Sequence, residues 1–341
     1  MATLLRTFNP FDVGPDMRTD DPAGKQGSAQ SSFAMSGLDQ NVDSHRNRIK
    51  EKIKQLNLAH QRDMSVHQDR NLHASDNSKG IAKLPVWDES RRAMPNEYAR
   101  SAIFTVRNKK VARRTITNQD VFVVGDSVVR YTGIELRAYD DELVWLEVLN
   151  LAKNFPLGEW IQFSVYQICK ALGWSKSKFY YKKIHECLLR LKATAVSIEN
   201  SRLGKGKAIA FIEDYEWEDS SGAKLPKCRV RIHQNMSDLF GGHHFTELEW
   251  EAYIGLSPIA RRIYDYAASH RIPYSLRLET VGKMCGSDSS NRVRRWREQV
   301  NKALEELKSK HLIKGGEVRI GLVFIQRHHR HLRGGKSEKL S

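Results

Sequence analysis

The chain is short of cysteine and of long apolar runs, and its first quarter is short of aromatics. Four cysteines, Cys169, Cys187, Cys228 and Cys285, occur in 341 residues, and no two form a CxxC pair. Scattered thiols of this kind suit a reducing cytoplasm and argue against a disulfide-stapled secreted fold. No apolar stretch approaches the roughly 20 residues of a membrane span. Met1–Phe11 has one Arg, a short apolar stretch and no small-residue cleavage site, so it reads as a poor signal peptide. No GxxxxGK[ST] phosphate loop is present, which removes the usual sign of an ATPase. Cys228, His243, His244 and Cys285 lack zinc spacing. His329 and His331 flank Arg330 rather than a hydrophobe, and His243 and His244 are adjacent, so neither pair suits a DNA-nicking site. Asp140-Asp141-Glu142 is acidic enough for a metal-dependent nuclease, yet its place at a helix start favours a dipole-stabilising role. No catalytic residue, metal or cofactor is expected.

Positive charge is what the chain has in excess. Its 56 Lys+Arg against 40 Asp+Glu leave a net charge of +16 and a pI near 9.7. A soluble chain this basic points to a polyanionic partner, usually nucleic acid. The excess is uneven. Residues 1–85 hold 12 basic and 10 acidic side chains, a net of +2, whereas residues 283–341 hold 15 and 6, a net of +9.

The first 85 residues contain three Phe and no Tyr, Trp or Cys, and are rich in Asp, Ser, Asn, Gln and Gly. Such a stretch buries too little apolar area to offset its ordering entropy, so a disordered tail is expected over residues 1–92. Within it, Ile49, Ile53, Leu56 and His60 recur at helical spacing over Ser44–His60. All seven tryptophans lie from Trp87 onward, and the folded region is expected to begin at about Val86 to Pro95.

Beyond that point one pattern occurs twice. Asp140–Lys153 reads as an amphipathic helix with Leu143, Leu146 and Leu149 on one stripe. A short strand, Glu159–Phe163, precedes a helix that Ser164 can cap. Gly173 makes a turn, and Ser175 opens a long helix to about Lys192 with Ile184, Cys187, Leu188 and Leu191 on one stripe. β-rich runs follow at 195–198, 208–215 and 228–232, with Gly204–Lys207 linking the first two. In the second copy Ser257-Pro258 opens a helix through Ala268. A strand at Ser275–Leu278, a helix at Glu279–Cys285, the turn Gly286, caps at Asp288–Ser290, a helix at Asn291–Lys310 and short β runs separated by Gly315-Gly316 and ending in Val318–Ile325 complete it. Ile168–Gly173 aligns with Val281–Gly286, and Ile184, Cys187, Leu188 and Leu191 align with Val300, Ala303, Leu304 and Leu307.

Helix, strand, helix, glycine turn, long helix and hairpin is the winged-helix order. The expected fold is therefore α+β, with two tandem winged-helix domains at 93–240 and 241–333 and a flexible C-terminal tail at 334–341. Each copy read alone is equally consistent with a small α+β interaction module. On the second long helix, Val293, Trp296, Val300, Ala303, Leu304 and Leu307 form the inner stripe. Asn291, Arg294, Arg295 and Glu298 lie opposite and suit base readout, because Arg pairs with guanine, Asn with adenine, and Glu accepts from cytosine. Ser290, Arg292, Arg297 and Lys302 suit phosphate contact. The first copy offers Ser175, Lys178 and Lys182 for the backbone, with His185 and Leu189 on the same face. Lys205 and Lys207 in one wing, and Lys314 and Arg319 in the other, are further candidates; each also reads as an ordinary solvated turn. Arg327–His331 is either a phosphate grip or a frayed end.

Three stretches carry a resemblance. Met94–Lys109 (MPNEYARSAIFTVRNK), Val144–Ala152 (VWLEVLNLA) and Leu256–Asp265 (LSPIARRIYD) resemble the TrfA-type replication initiators of broad-host-range IncP-type plasmids. The likeness runs from Met94 to about His331. It implies two winged-helix domains without enzymatic activity, acting in the bacterial cytoplasm on plasmid DNA. Such proteins bind direct repeats (iterons) at the origin, with the second domain doing most of the base readout. They open an adjacent AT-rich region, which makes single-stranded AT-rich DNA a further partner. They recruit the host initiator, the replicative helicase and the polymerase sliding clamp. In related initiators the first domain also mediates dimerisation, the homodimer being inactive and the monomer the form on DNA. For the clamp motif the resemblance points to Arg100, Ser101, Ala102, Ile103 and Phe104, without the leading Gln; Gln55–Ala59 has the Gln but no final Phe. The alternative for Ile103-Phe104 is a packed β-strand. A winged-helix transcriptional repressor acting at an operator or its own promoter is the competing function, and a non-specific architectural or RNA-binding protein is a third.

Overall fold

The computed structural model describes residues 82–204, 208–218 and 224–328. The helix expected over Ser44–His60, the clamp alternative at Gln55–Ala59, Lys205, Lys207, most of the Arg327–His331 segment and the C-terminal tail lie outside the described residues. The chain joins its core earlier than the sequence suggests. Leu84 and Trp87 are buried. The Trp87 indole donates to Asn150 Oδ1 at 3.1 Å, and the Leu157 amide donates to the Ala82 carbonyl at 2.8 Å. Residues 82–92 therefore belong to the fold and not to the tail expected to run through them.

Strand β1 (Arg91–Pro95) leads through α1 (Asn96–Ala99) to β2 (Phe104–Thr105), β3 (Thr115–Val121), β4 (Val128–Ile134) and β5 (Leu136–Arg137). The repeated pattern then begins with α2 (Asp141–Ala152), β6 (Trp160–Phe163), α3 (Val165–Ala171) and α4 (Lys178–Lys192). Strands β7 (Ala195–Glu199), β8 (Ala208–Ala210), β9 (Asp214–Glu218) and β10 (Lys224–Arg231) follow. After α5 (Met236–Phe240), β11 (Phe245–Glu249) and α6 (Trp250–Ile254), the order returns as α7 (Pro258–Ala268), β12 (Leu276–Arg277), α8 (Leu278–Met284), α9 (Val293–Ser309), β13 (Gly315–Arg319) and β14 (Leu322–Gln326).

The two copies share a sheet as well as an order. In the first, the strand order is β6-β10-β9; in the second it is β12-β14-β13, antiparallel throughout. This relocates the first hairpin. Strand β7, which follows α4 directly, pairs with β4 and β8 in a separate four-stranded sheet. The Gly204–Lys207 link joins β7 to β8 and so is not the equivalent of the β13–β14 turn. That equivalent is the β9–β10 connection at 219–223, outside the described residues. In the second copy Gly315 and Gly316 lie inside β13 instead of separating strands, and the turn falls at Ile320-Gly321.

Local sequence explains the helix ends. Ser164 and Gln167 form a reciprocal capping box at α3, and Ser257 with Pro258 opens α7. Ser177, not Ser175, caps α4 by accepting from the Tyr180 amide. Helices α3 and α8 end in matching glycine closures. Gly173 and Gly286 take left-handed φ values of 66° and 55°. The Gly173 amide donates to Lys170 and the Trp174 amide to Cys169, as Gly286 does to Lys283 and Ser287 to Gly282. The aligned residues Ile184, Cys187, Leu188 and Leu191, and Val300, Ala303, Leu304 and Leu307, are all buried.

Helix α2 departs from its expected amphipathic form, since all of its residues but Leu151 are buried. Its acids survive burial because each meets an arginine. Glu147 pairs with Arg92 at 2.7 Å, and Asp141 with Arg113 at 2.6 Å and Arg190 at 2.9 Å. Glu142 pairs with Arg262 of α7 at 2.6 Å, both side chains fully buried. Arg262 also reaches Asp265 at 2.7 Å and the carbonyls of Tyr98, Ala99 and Ser101. Burial opposes the Arg262 charge, but Glu142 and Asp265 outweigh it and hold its pKa above the ordinary value. Burial, then Glu142, pushes the Asp265 carboxyl up.

These contacts cross the boundary expected between Phe240 and Gly241. So do the antiparallel ladder of β1 with β11, the Arg261 bond to the Ala138 carbonyl at 2.6 Å and the Trp250 bond to the Ala171 carbonyl at 3.0 Å. The described residues form one compact unit. No described helix is long and apolar enough to cross a membrane.

Two outcomes follow for stability. Arg262→Met leaves Glu142 and Asp265 buried without a counter-charge and should cost about 3–5 kcal/mol, read as a lower denaturant midpoint. Gly173→Ala should cost about 1–2 kcal/mol for its left-handed backbone alone. Gly286→Ala should cost more, because a Cβ there meets Thr105 Cγ2 at 2.8 Å, whereas Gly173 has open space; thermal melts of the pair check the difference.

Candidate nucleic-acid interface

Helix α9 is held from behind by its buried stripe and by one indole. Trp296 is buried, and its Nε1 donates to the Leu278 carbonyl at 3.0 Å. On the other side Arg294, Arg295 and Glu298 are exposed, with Arg292 and Arg297 exposed beside them. Arg292, Val293, Arg294, Arg295 and Glu298 line one shallow surface depression. Arg294 has 95% of its side chain in solvent and touches Glu298 at 3.4 Å, a contact that water screens heavily. Lys302 is exposed further along the same face.

The helix begins later than expected. Asn291 and Ser290 belong to a short 3-10 turn, Asp288–Asn291, and Arg292 occupies the N-cap position without a side-chain cap. Asn291 therefore stands exposed beside α9 and not on its first turn. Asp288, expected as a cap, pairs instead with Arg107 at 2.7 Å and Arg114 at 3.0 Å. The turn that launches α9 is thus tied to the first half of the molecule. The Val106 amide adds a bond to the Cys285 carbonyl at 2.8 Å.

Val293 corrects the helical wheel. Expected in the inner stripe, it is 61% exposed. It is the first residue of α9, so its side chain projects past the end of the core and joins the arginines. An apolar group there suits a thymine methyl. Lys314 also shifts. It precedes β13, at the far end of a helix of 17 residues, or about 25 Å, from Arg294. Arg319 lies at the other end of β13, beside the turn, exposed and paired with Glu317 at 2.8 Å.

The first half presents α4 similarly. Ser175, Lys178 and Lys182 are exposed, Lys182 standing 3.8 Å from Glu186. By the shared buried stripe, Lys178 and Phe179 take the places of Arg294 and Arg295. Phe179, which the sequence reading passed over, is 69% exposed. His185 is turned from the outer face, with its ring on Trp217 and Nδ1 2.9 Å from the Tyr215 hydroxyl. Leu189 stays on the exposed side.

The candidate clamp segment is packed inward. Arg100 contacts Ser269, Ala102 is half-buried, and Ser101, Ile103 and Phe104 are fully buried. Phe104 lies against Phe211 and pairs with Leu136 through β2 and β5. The packed-strand alternative accounts for Ile103-Phe104, and neither side chain is presented to a partner in this conformation.

Asp140, Asp141 and Cys187 are the one metal-spaced group among the described residues. Arg113, Lys183 and Arg190 already stand on its carboxylates. Burial opposes the Asp140 charge, but Arg113, Lys183 and Arg190 outweigh it and hold that carboxyl low; burial and Asp140 push Asp141 up. Burial raises all four thiols, Cys285 to about 12, which suits inert packing and not nucleophilic chemistry.

The plasmid replication initiator protein TrfA of Escherichia coli is 48% identical over 242 residues, 71% of this chain. The match spans 63% of that relative's length. Two solved structures of domains 2 and 3 of RctB share 12% and 14% identity, with TM-scores of 0.45 and 0.42. The first covers 62% of this chain and 85% of that one; the second covers 60% and 81%. A family model described as TrfA protein matches residues 45–327. That match takes in most of the sequence, and the chain belongs to the TrfA family.

Proposed function

We propose that the chain is a plasmid replication initiator that binds iterons at its origin through two tandem winged helices. The observation that carries this reading is the first turn of α9. Four arginines within six positions (292, 294, 295 and 297) are exposed there, opposite a fixed Trp296. Arginine forks match guanine edges in the major groove, and the remaining cations grip phosphate. Family membership supports the rest of the reading: opening of an AT-rich region, recruitment of the host initiator, helicase and sliding clamp, and a homodimer that is inactive while the monomer binds DNA. The protein acts as a binder without catalysing a reaction, in the bacterial cytoplasm.

Footprinting of the full chain on its own plasmid origin tests the reading. Direct repeats protected at spacings near whole helical turns, with permanganate-reactive thymines appearing nearby, are the expected result. Protection of one operator without melting would favour the repressor instead. Arg294→Ala and Arg295→Ala should each lower the preference for repeat DNA over random DNA by about 1–3 kcal/mol, measured by competition binding. Lys178→Ala should weaken both DNAs alike and flatten the salt dependence of binding. Mutants that lose both affinities equally at Arg294 and Arg295 would mark a non-specific binder.

A further inference from the structure

We propose that Ile320 is an apolar wedge that enters the DNA minor groove beside the α9 site and unstacks a base step; the inference rests on the DNA-binding reading above. Arg319 pairs with Leu322 across the β13–β14 ladder, which leaves a two-residue turn of Ile320 and Gly321. Their φ values are 49° and 74°, both left-handed, as in the type I′ turn whose preferred residues are Asn-Gly. A β-branched residue is a steric outlier in that region. Ile320 is also 93% exposed, so packing within the fold does not repay the strain. An outlier held where the fold gains nothing from it is better explained by a use outside the fold.

The position supports that use. Leu278 acts as a hub: its carbonyl accepts from Trp296 Nε1 at 3.0 Å, and its amide donates to the Gly321 carbonyl at 2.8 Å. The turn is therefore fixed at the same end of the molecule as the start of α9, where Arg294 and Arg295 stand. Two cations flank the turn, one of them, Arg319, paired with the exposed Glu317 at 2.8 Å. Leu322 is paired with Arg319 on one side and Arg277 on the other, and both arginines are exposed. An apolar tip between cations matches the chemistry of a minor groove, where arginines hold the two phosphate walls and a hydrophobe separates the bases. In a chain of net charge +16, with the arginines of α9 held at the same end, DNA is the occupant the residues favour.

The test uses the full chain and a duplex enriched by it from a random pool, with 2-aminopurine placed at successive steps on either side of the α9 footprint. Bound wild type should raise the fluorescence at one step, marking unstacking. Ile320→Asn suits a type I′ turn better, so its melting temperature should be equal or higher, while the fluorescence rise should be lost. Ile320→Leu should keep the rise. A rise that persists in Ile320→Asn overturns the proposal. Wild type that binds its duplex with no rise at any step also overturns it while the DNA reading stands. Failure to enrich any duplex overturns both.

Discussion

A guanidinium sealed from water, that of Arg262, is the constraint around which the two halves are arranged. A buried cation is tolerable only if its charge and most of its donors are met on the spot, and in Arg262 both terminal nitrogens are met while Nε is not. Here the answering groups are Glu142 of α2, Asp265 one turn along α7, and three carbonyls just after β1. Most of those partners belong to the first half, while Arg262 belongs to the second. Separation would strand charges on both faces. The two repeats therefore behave as one body, although each has its own helices and sheet.

The same constraint reaches the arginine-lined start of α9. Helix α7 packs under α9. The start of α9 is steadied by Asp288 on Arg107 and Arg114, and by Cys285 on Val106. First-half residues thus help aim a second-half helix. Preorganisation of this kind matters for readout, because a side chain that is already placed loses less freedom on binding. It also explains where the basic excess is free to act. Arginines inside the fold are consumed by buried carboxylates and carbonyls, whereas those at the start of α9 meet little besides Glu298.

Short-range physics was legible in the sequence, and long-range pairing was not. The stripes of α4 and α9, the cap at Ser257 and the glycine turns at Gly173 and Gly286 all depend on neighbours within a turn or two. Helix α2 read as amphipathic, with its first acids left to the helix dipole; their arginines come from as far as Arg262, 120 positions away. The first hairpin was misplaced for a related reason. Strand β7 has the right composition to be a wing strand, but β4, far upstream, claims its edge. Periodicity placed Val293 inside because a helical wheel has no ends, while a real helix outruns its core. Ile103 and Phe104 matched a short linear motif as well as they match a strand, and only Phe211 and Leu136 decide between the two. Ile320 carried no periodic signal at all, and its meaning lies in a backbone angle.

The ladder between β1 and β11 has a consequence for how the chain is made. Arg91 and its partner Glu247 are 156 positions apart. A ribosome releases the chain from its N-terminus, so β1 must wait, unpaired, until synthesis has passed the whole first half and reached β11. During that interval Met94 lacks the strand that later covers it, and the closure entropy of the long loop falls due in a single late step. The first half is thus closed by a strand of the second, and a chain truncated before Phe245 would lack not only the second half but the edge that completes the first.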